Sequence, residues 1–254
     1  MIAVIDLLMA AVFALGAGTI IGLFGAGGSI TMVPILTYGL KIPLKIAIGM
    51  TLIIEAFTGF IASWFYRRNG QTQIRAAIPY ALAGAAGSFT GGYLTKYIPT
   101  GVLLTIFGVT VLGAAAMLTR NVIRGKVQGT GKMANVWLFA TVGLFVGFLT
   151  GMIGVGGGFL IVPALVLLGG LDIKMAVGTS LFVIGLQSTA GVSGILLSGT
   201  RFDLTPTAII TIANVAGSLF GKYLSSRLPV QKVQVGFIGL LLVLGSVTIA
   251  KAVV

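Results

Sequence analysis

Residues able to do bond chemistry are scarce in this chain. Its 254 residues include 16 Lys and Arg, four Asp and Glu, no His and no Cys. The commonest metal ligand, the commonest general base and every thiol are therefore missing. The four acids are dispersed, so they form neither a metal cluster nor a nucleophile–base pair. No metal, cofactor or enzymatic activity is expected. One acid stands apart. Glu55 lies near the centre of the apolar run Ile46–Tyr66, four residues after Thr51 and on the same helical face. A carboxylate at bilayer depth is costly and reads as functional by default. A proton-binding role coupled to anion movement follows. The structural alternative is a protonated Glu making a hydrogen bond.

The other feature is a glycine-broken passage that occurs twice. Gly18, Gly22, Gly25, Gly27, Gly28, Pro34 and Gly49 recur as Gly147, Gly151, Gly154, Gly156, Gly157, Pro163 and Gly178, each shifted by 129 residues (147−18 to 178−49). Gly18/Gly22 and Gly147/Gly151 have the small-xxx-small spacing that lets helices approach. The clusters Gly25–Ser29 and Gly154–Gly158 are too glycine-rich for continuous helix, at about 1 kcal/mol per Gly relative to Ala. An apolar run resumes after each, with Ser29 at the expected N-cap in the first copy. Each cluster is thus expected to end one helix and start another. A helix start offers free N–H groups and a positive dipole end, and bare Gly25, Gly27, Gly28, Gly154, Gly156, Gly157 and Gly158 let an anion approach the backbone. A kink for packing is the plainer alternative. Thr51, Thr179 and Ser180 follow the breaks and could complete an oxyanion's coordination, or bond between helices. Gln187, Ser188 and Asn214 are further polar groups within apolar runs. A phosphate-binding loop is excluded, because no Gly-Lys-Ser/Thr ending is present.

These residues must be positioned by membrane helices. The chain is 57% hydrophobic and 8% charged, with mean hydropathy +1.13. That is far too little charge for a soluble domain. The apolar runs are Ile2–Phe24, Ser29–Leu40, Ile46–Tyr66, Ile74–Thr95, Gly101–Thr119, Ala134–Ile153, Phe159–Leu168, Met175–Leu197, Pro206–Ser225 and Val233–Val253. They predict an all-α polytopic membrane protein with 8–10 transmembrane segments. Ser29–Leu40 and Phe159–Leu168 are short, as half-helices, re-entrant segments or glycine-extended spans would be. The stretch Met1–Ala11 has no basic n-region and reads as part of a retained first span. The net charge of +12 does not mark a nucleic-acid binder, because Lys and Arg sit at the ends of apolar runs. They fit topology and contact with anionic lipid. Trp64, Phe65, Tyr66, Tyr93, Tyr97, Trp137 and Tyr223 fit interfacial anchors.

The repeat extends beyond the glycines. Gly87, Ser88, Gly91, Tyr93, Leu94 and Pro99 match Gly217, Ser218, Gly221, Tyr223, Leu224 and Pro229 with one extra residue. The predicted organisation is a first transmembrane repeat 1–119, a basic cytoplasmic linker 120–133 and a second repeat 134–254. If the short segments do not cross, nine basic residues lie with the linker and seven opposite; if they cross, the numbers are eleven and five. The positive-inside rule favours the second. It gives five segments per half, hence inverted repeats.

At these residues the chain resembles the sulfite exporter TauE/SafE family of membrane permeases. The likeness rests on Gly22-Leu-Phe-Gly-Ala-Gly-Gly28 with Pro34, on Gly151-Met-Ile-Gly-Val-Gly-Gly-Gly158 with Val162-Pro163, and on Gly178-Thr-Ser180. It covers nearly the whole chain. The first copy departs, with Ser29 for Gly158 and Gly-Met-Thr for Gly-Thr-Ser. The resemblance implies a secondary transporter in a prokaryotic inner (plasma) membrane. Its implied cargo is sulfite, sulfoacetate or a related organosulfonate. The expected partners are a small anion and the bilayer, with a homodimer left open and nucleic acid excluded. An anion channel, or an uptake permease for another oxyanion, is the alternative.

Overall fold

The structure is a computed structural model that describes residues 4–25, 28–123, 135–154 and 156–225, together with 239, 242, 243 and 246. The central part of the linker, Arg124–Lys132, lies outside these residues, as do Gly27 and nearly all of Val233–Val253. All described elements are helical: α1 Val4–Phe24, α2 Gly28–Pro34, α3 Leu44–Arg68, α4 Ile74–Leu94, α5 Thr100–Ile123, α6 Val136–Ile153, α7 Gly158–Leu167, α8 Ile173–Leu197 and α9 Leu204–Ser225. Short helical turns, Ile35–Gly39 and Thr95–Tyr97, follow α2 and α4.

Five helices, α1, α3, α6, α8 and α9, are long and apolar enough to cross a membrane. The protein is an all-α polytopic membrane protein. Helix α4 has 21 residues, but its Ala- and Gly-rich sequence is less apolar. Its packing explains this: α4 lies against α6 and α8, where small residues admit neighbouring backbones. The short elements are half-helices. Helix α7 has ten residues, about 15 Å at ~1.5 Å per residue, half the hydrocarbon thickness. Helix α2 has seven residues and widens into a π-helical turn beyond Pro34, whose ring cannot continue an α-helical ladder.

The main contacts are α4 with α6, α1 with α9, α4 with α8 and α3 with α8. Their directions can be read from glycine contacts. Gly18 meets the Asn214 backbone and Gly22 that of Ser218, so α1 and α9 run parallel. Gly147 meets Gly84 and Gly151 meets Ser88, so α6 and α4 do likewise. Helices α3 and α8 run antiparallel: Gly49 faces Ile195, Gly59 faces Leu181, and Ser63 Oγ donates to the Gly178 carbonyl at 3.4 Å. Apolar clusters fill the spaces around these crossings. One joins Leu44, Ile48, Leu52, Leu103, Phe107 and Ile153; another joins Tyr80, Phe139, Val146, Ile161, Val183 and Ile184. Aromatics mark the ends, with the Arg68 guanidinium 5.2 Å from the Trp64 ring and Trp137 exposed.

Candidate functional site

The second glycine cluster builds a sharp reversal. Gly154 ends α6 in the left-handed region (φ 74°), and its N–H donates to the Thr150 carbonyl at 2.9 Å. Gly157 is also left-handed (φ 59°) and stands at the N-cap of α7. Its carbonyl accepts from Leu160 and Ile161 N–H, both at 2.8 Å, which starts the new ladder. Both conformations suit glycine. A side chain is also excluded by space: a Cβ on Gly154 would lie 2.8 Å from Ile48 Cα, and one on Gly157 would strike Thr150 Oγ. The expected helix–break–helix is therefore present at Gly154–Gly158.

The occupant of that break is the protein's own carboxylate. Glu55 on α3 is 1% exposed. Its Oε2 packs against Gly156 and accepts a long hydrogen bond, 3.4 Å, from Ser188 Oγ on α8. A Cβ on Gly156 would collide with Glu55 Oε2 and lie 3.0 Å from Ile184. The bare glycine thus lets the carboxylate reach the backbone beside a helix start, where negative charge is favoured. Glu55 Oε1 has no hydrogen-bond partner. The adjoining α4–α8 contact is polar too. Gln187 is wholly buried with neither amide atom bonded, and Ser88 Oγ and Tyr80 Oη are also buried without partners. Gly84 makes room for Gln187, since a Cβ there would strike Nε2.

The first break is placed differently. Gly25 is left-handed (φ 63°) and packs on α8, where a Cβ would lie 2.6 Å from the Val177 carbonyl. Ser180 Oγ donates to the Gly25 carbonyl at 2.7 Å and approaches the Val177 carbonyl at 2.8 Å. Gly28 begins α2, so Ser29 lies inside the helix and is not its N-cap. Sequence favoured a hydroxyl at the cap, but the chain has already turned helical at the glycine. Each remaining hydroxyl has a protein partner: Thr51 Oγ donates to Ala47 O within α3 at 2.8 Å, and Thr179 Oγ accepts from Gln73 N at 2.8 Å, tying down the α3–α4 turn. Asn214 accepts from Thr58 Oγ at 3.0 Å and donates to the Ala14 carbonyl at 3.1 Å, joining α9 to α3 and α1. The predicted residues fall into two groups: Glu55, Gly154, Gly156, Gly157 and Gly158 at the α6–α7 break, and Gly25, Thr51, Thr179, Ser180, Gln187 and Asn214 within or between helices.

Sequence reasoning passed over Tyr80 and Thr58 and treated Ser88 only as a repeat marker. Nothing in the Ala-rich run around Tyr80 marks it. Thr58 does have a signal: it shares the offset of 129 with Gln187 (187−58). Among the described residues no group of three or more His, Cys, Asp or Glu could hold a metal. An apolar cleft lined by Val33, Thr37, Leu44, Ile48, Leu103 and Phe107 opens between α2, α3 and α5.

Long apolar helices, a broken helix meeting a buried carboxylate, and unpartnered polar groups in the interior define a multi-pass membrane transport protein. The comparisons make the class specific. The sequence model of the sulfite exporter TauE/SafE family matches residues 10–248, and the chain belongs to that family. It is similar to the probable membrane transporter protein YunE of Bacillus subtilis, 29% identical over 231 residues, covering 82% of this chain and 85% of that one. A probable membrane transporter protein of Xylella fastidiosa strain Temecula1 is 30% identical over 230 residues, covering 85% and 83%. The archaeal MJ0441 protein of Methanocaldococcus jannaschii, also a probable membrane transporter, is 27% identical over 190 residues, covering 72% and 70%. No solved structure matches. The protein is a membrane transporter of the plasma membrane.

Proposed function

We propose that the protein is a secondary transporter for a small sulfur-containing anion such as sulfite, sulfoacetate or a related organosulfonate. It couples anion movement to a proton carried by Glu55. The single observation that carries this reading is the buried Glu55 carboxyl packed against Gly156 at the α6–α7 break, beside a start of helix suited to an anion. The buried amide of Gln187 and hydroxyl of Ser88 are further unsatisfied groups at the α4–α8 contact, and the family match supports the class of cargo. Alternating access would move one half of the bundle against the other around the two breaks. The antiparallel crossing of α3 and α8, which share the offset of 129 (173−44 and 197−68), supports reading those halves as inverted.

The test is flux through purified protein in proteoliposomes, with sulfite, sulfate, thiosulfate, sulfoacetate and taurine as cargo. Saturable uptake of at least one sulfur anion, accelerated by an imposed pH gradient, is expected. Flux that rises linearly with concentration at channel rates would show an open anion pore instead. No flux of any member of the panel would remove the assignment of cargo.

A further inference from the structure

We propose that Glu55 is a built-in stand-in for the transported anion, displaced from the α7 start by cargo only when it takes up a proton. The proposal rests on the transport reading above and gives it a mechanism of coupling. Two negative oxygens cannot share the space against Gly156, and a charged carboxylate moved off it would stay buried at high cost. Protonation removes the charge and with it the repulsion of an incoming anion. The anion can then take the place vacated.

The surroundings fit a replaceable ligand. Glu55 Oε1 lacks a partner although the residue is 1% exposed, and Gln187, beside Ser188 on α8, is wholly buried with neither amide atom bonded. Ser188 Oγ, only loosely bonded at 3.4 Å, can turn to a new acceptor. No strong partner holds the charge. Among the described ionisable residues on the packed helices, Tyr66 of α3 and Tyr80 of α4 are buried, and Tyr66 donates to the Gly22 carbonyl at 2.7 Å. Lys45, Arg67 and Arg68 of α3 and Lys174 of α8 stand at helix ends, roughly 15–21 Å from Glu55 or Ser188 at ~1.5 Å per residue, and Arg75 of α4 about 13 Å from Gly84. Helices α6 and α7 carry no charged residue, and α9 brings Lys222 and Tyr223 only in its last turn. The site is single, because Ile184 occupies the position 129 residues after Glu55.

Two consequences follow. One proton enters with each anion, so movement of a monoanion is electroneutral and insensitive to membrane potential. Small carboxylates also belong to the ligand class, since the site already holds one.

The test begins with the full chain in detergent and formate as probe. Well above the carboxyl's titration, Glu55→Ala should melt several degrees higher in formate by mass action, while the wild type, its carboxylate in place, should not shift. An unshifted Glu55→Ala, or an equal shift in both proteins, would overturn the proposal. Should Glu55→Ala fail to fold, Glu55→Gln and methanesulfonate serve. Wild-type affinity should fall about tenfold per pH unit above the carboxyl's titration, and Glu55→Gln affinity should be flat. A pH dependence that persists in Glu55→Gln would sink the idea. If wild-type proteoliposomes move no sulfur anion, the transport reading falls, and the formate experiment still judges displacement by itself.

Discussion

Gly156 has no side chain because the space is taken by Glu55, and that contact can be probed from the glycine side. In Gly156→Ala the added methyl would strike Glu55 Oε2. The carboxyl must then move away from the α6–α7 break. Flux should fall at least tenfold while the protein still inserts and purifies as a folded species; normal flux would show that the contact is incidental. The residues at Asn214 have the opposite character. Its amide has both partners, Thr58 and the Ala14 carbonyl. Asn214→Ala should lower stability by about 1 kcal/mol, the scale of interhelical hydrogen bonds in membranes. A shift in thermal melting in detergent measures this, with flux per folded molecule little changed. A pairing in the two halves explains the difference. Thr58 faces Asn214, whereas at the offset positions the long Gln187 faces Gly84. Large and small have been exchanged, and only the first pair bonds to itself.

At the scale of elements, the parallel pairs α1–α9 and α4–α6 depend on backbones meeting at glycine. Cβ atoms on Gly147 or Gly151 would overlap the carbonyls of Gly84 and Ser88. Gly147→Val should therefore cost in the range of overpacking, roughly 1–3 kcal/mol or more. It should also reduce the yield of monodisperse protein on size-exclusion chromatography. Gly16→Val, where no heavy atom lies within 4 Å of a Cβ, is the control and should behave as wild type. This part of the fold was legible in sequence, because small residues four apart in apolar helices report close packing directly. The helix limits were also legible, since apolar runs end at Pro, Gly and charge: Ile74–Thr95 became Ile74–Leu94, and Phe159–Leu168 became Gly158–Leu167. The start of α2 was not, because a glycine can begin a helix as well as break one. Neither was the meeting of Glu55 with Gly156, which are 101 residues apart (156−55). Periodicity places each on its element, and only the packing of α3 against the α6–α7 turn joins them.

For the whole molecule, the antiparallel crossing of α3 and α8 separates the basic residues between the two ends of the bundle. Arg67, Arg68 and Arg75 lie at the turn between α3 and α4, and Lys174 lies at the nearby start of α8, where Gly178 meets Gln71. Lys222 joins them through the Phe65 carbonyl. The opposite end has Lys41, Lys45 and Lys96, with Lys45 Nζ donating to the Lys96 carbonyl at 2.7 Å, and Arg201 before α9. The first end thus carries five of these basic residues and the opposite end four. The positive-inside rule then puts the α3–α4 turn in the cytoplasm. The absence of Cys allows a direct measurement. Single cysteines at two exposed positions, Asn69→Cys in that turn and Thr205→Cys at the start of α9, should be labelled by an impermeant maleimide from opposite sides. In intact cells Thr205→Cys should react and Asn69→Cys should not, with the reverse in inside-out vesicles. Labelling of both from one side would contradict the helix directions. Labelling of Asn69→Cys from outside would keep the directions and reverse the orientation, which would also place the basic linker outside.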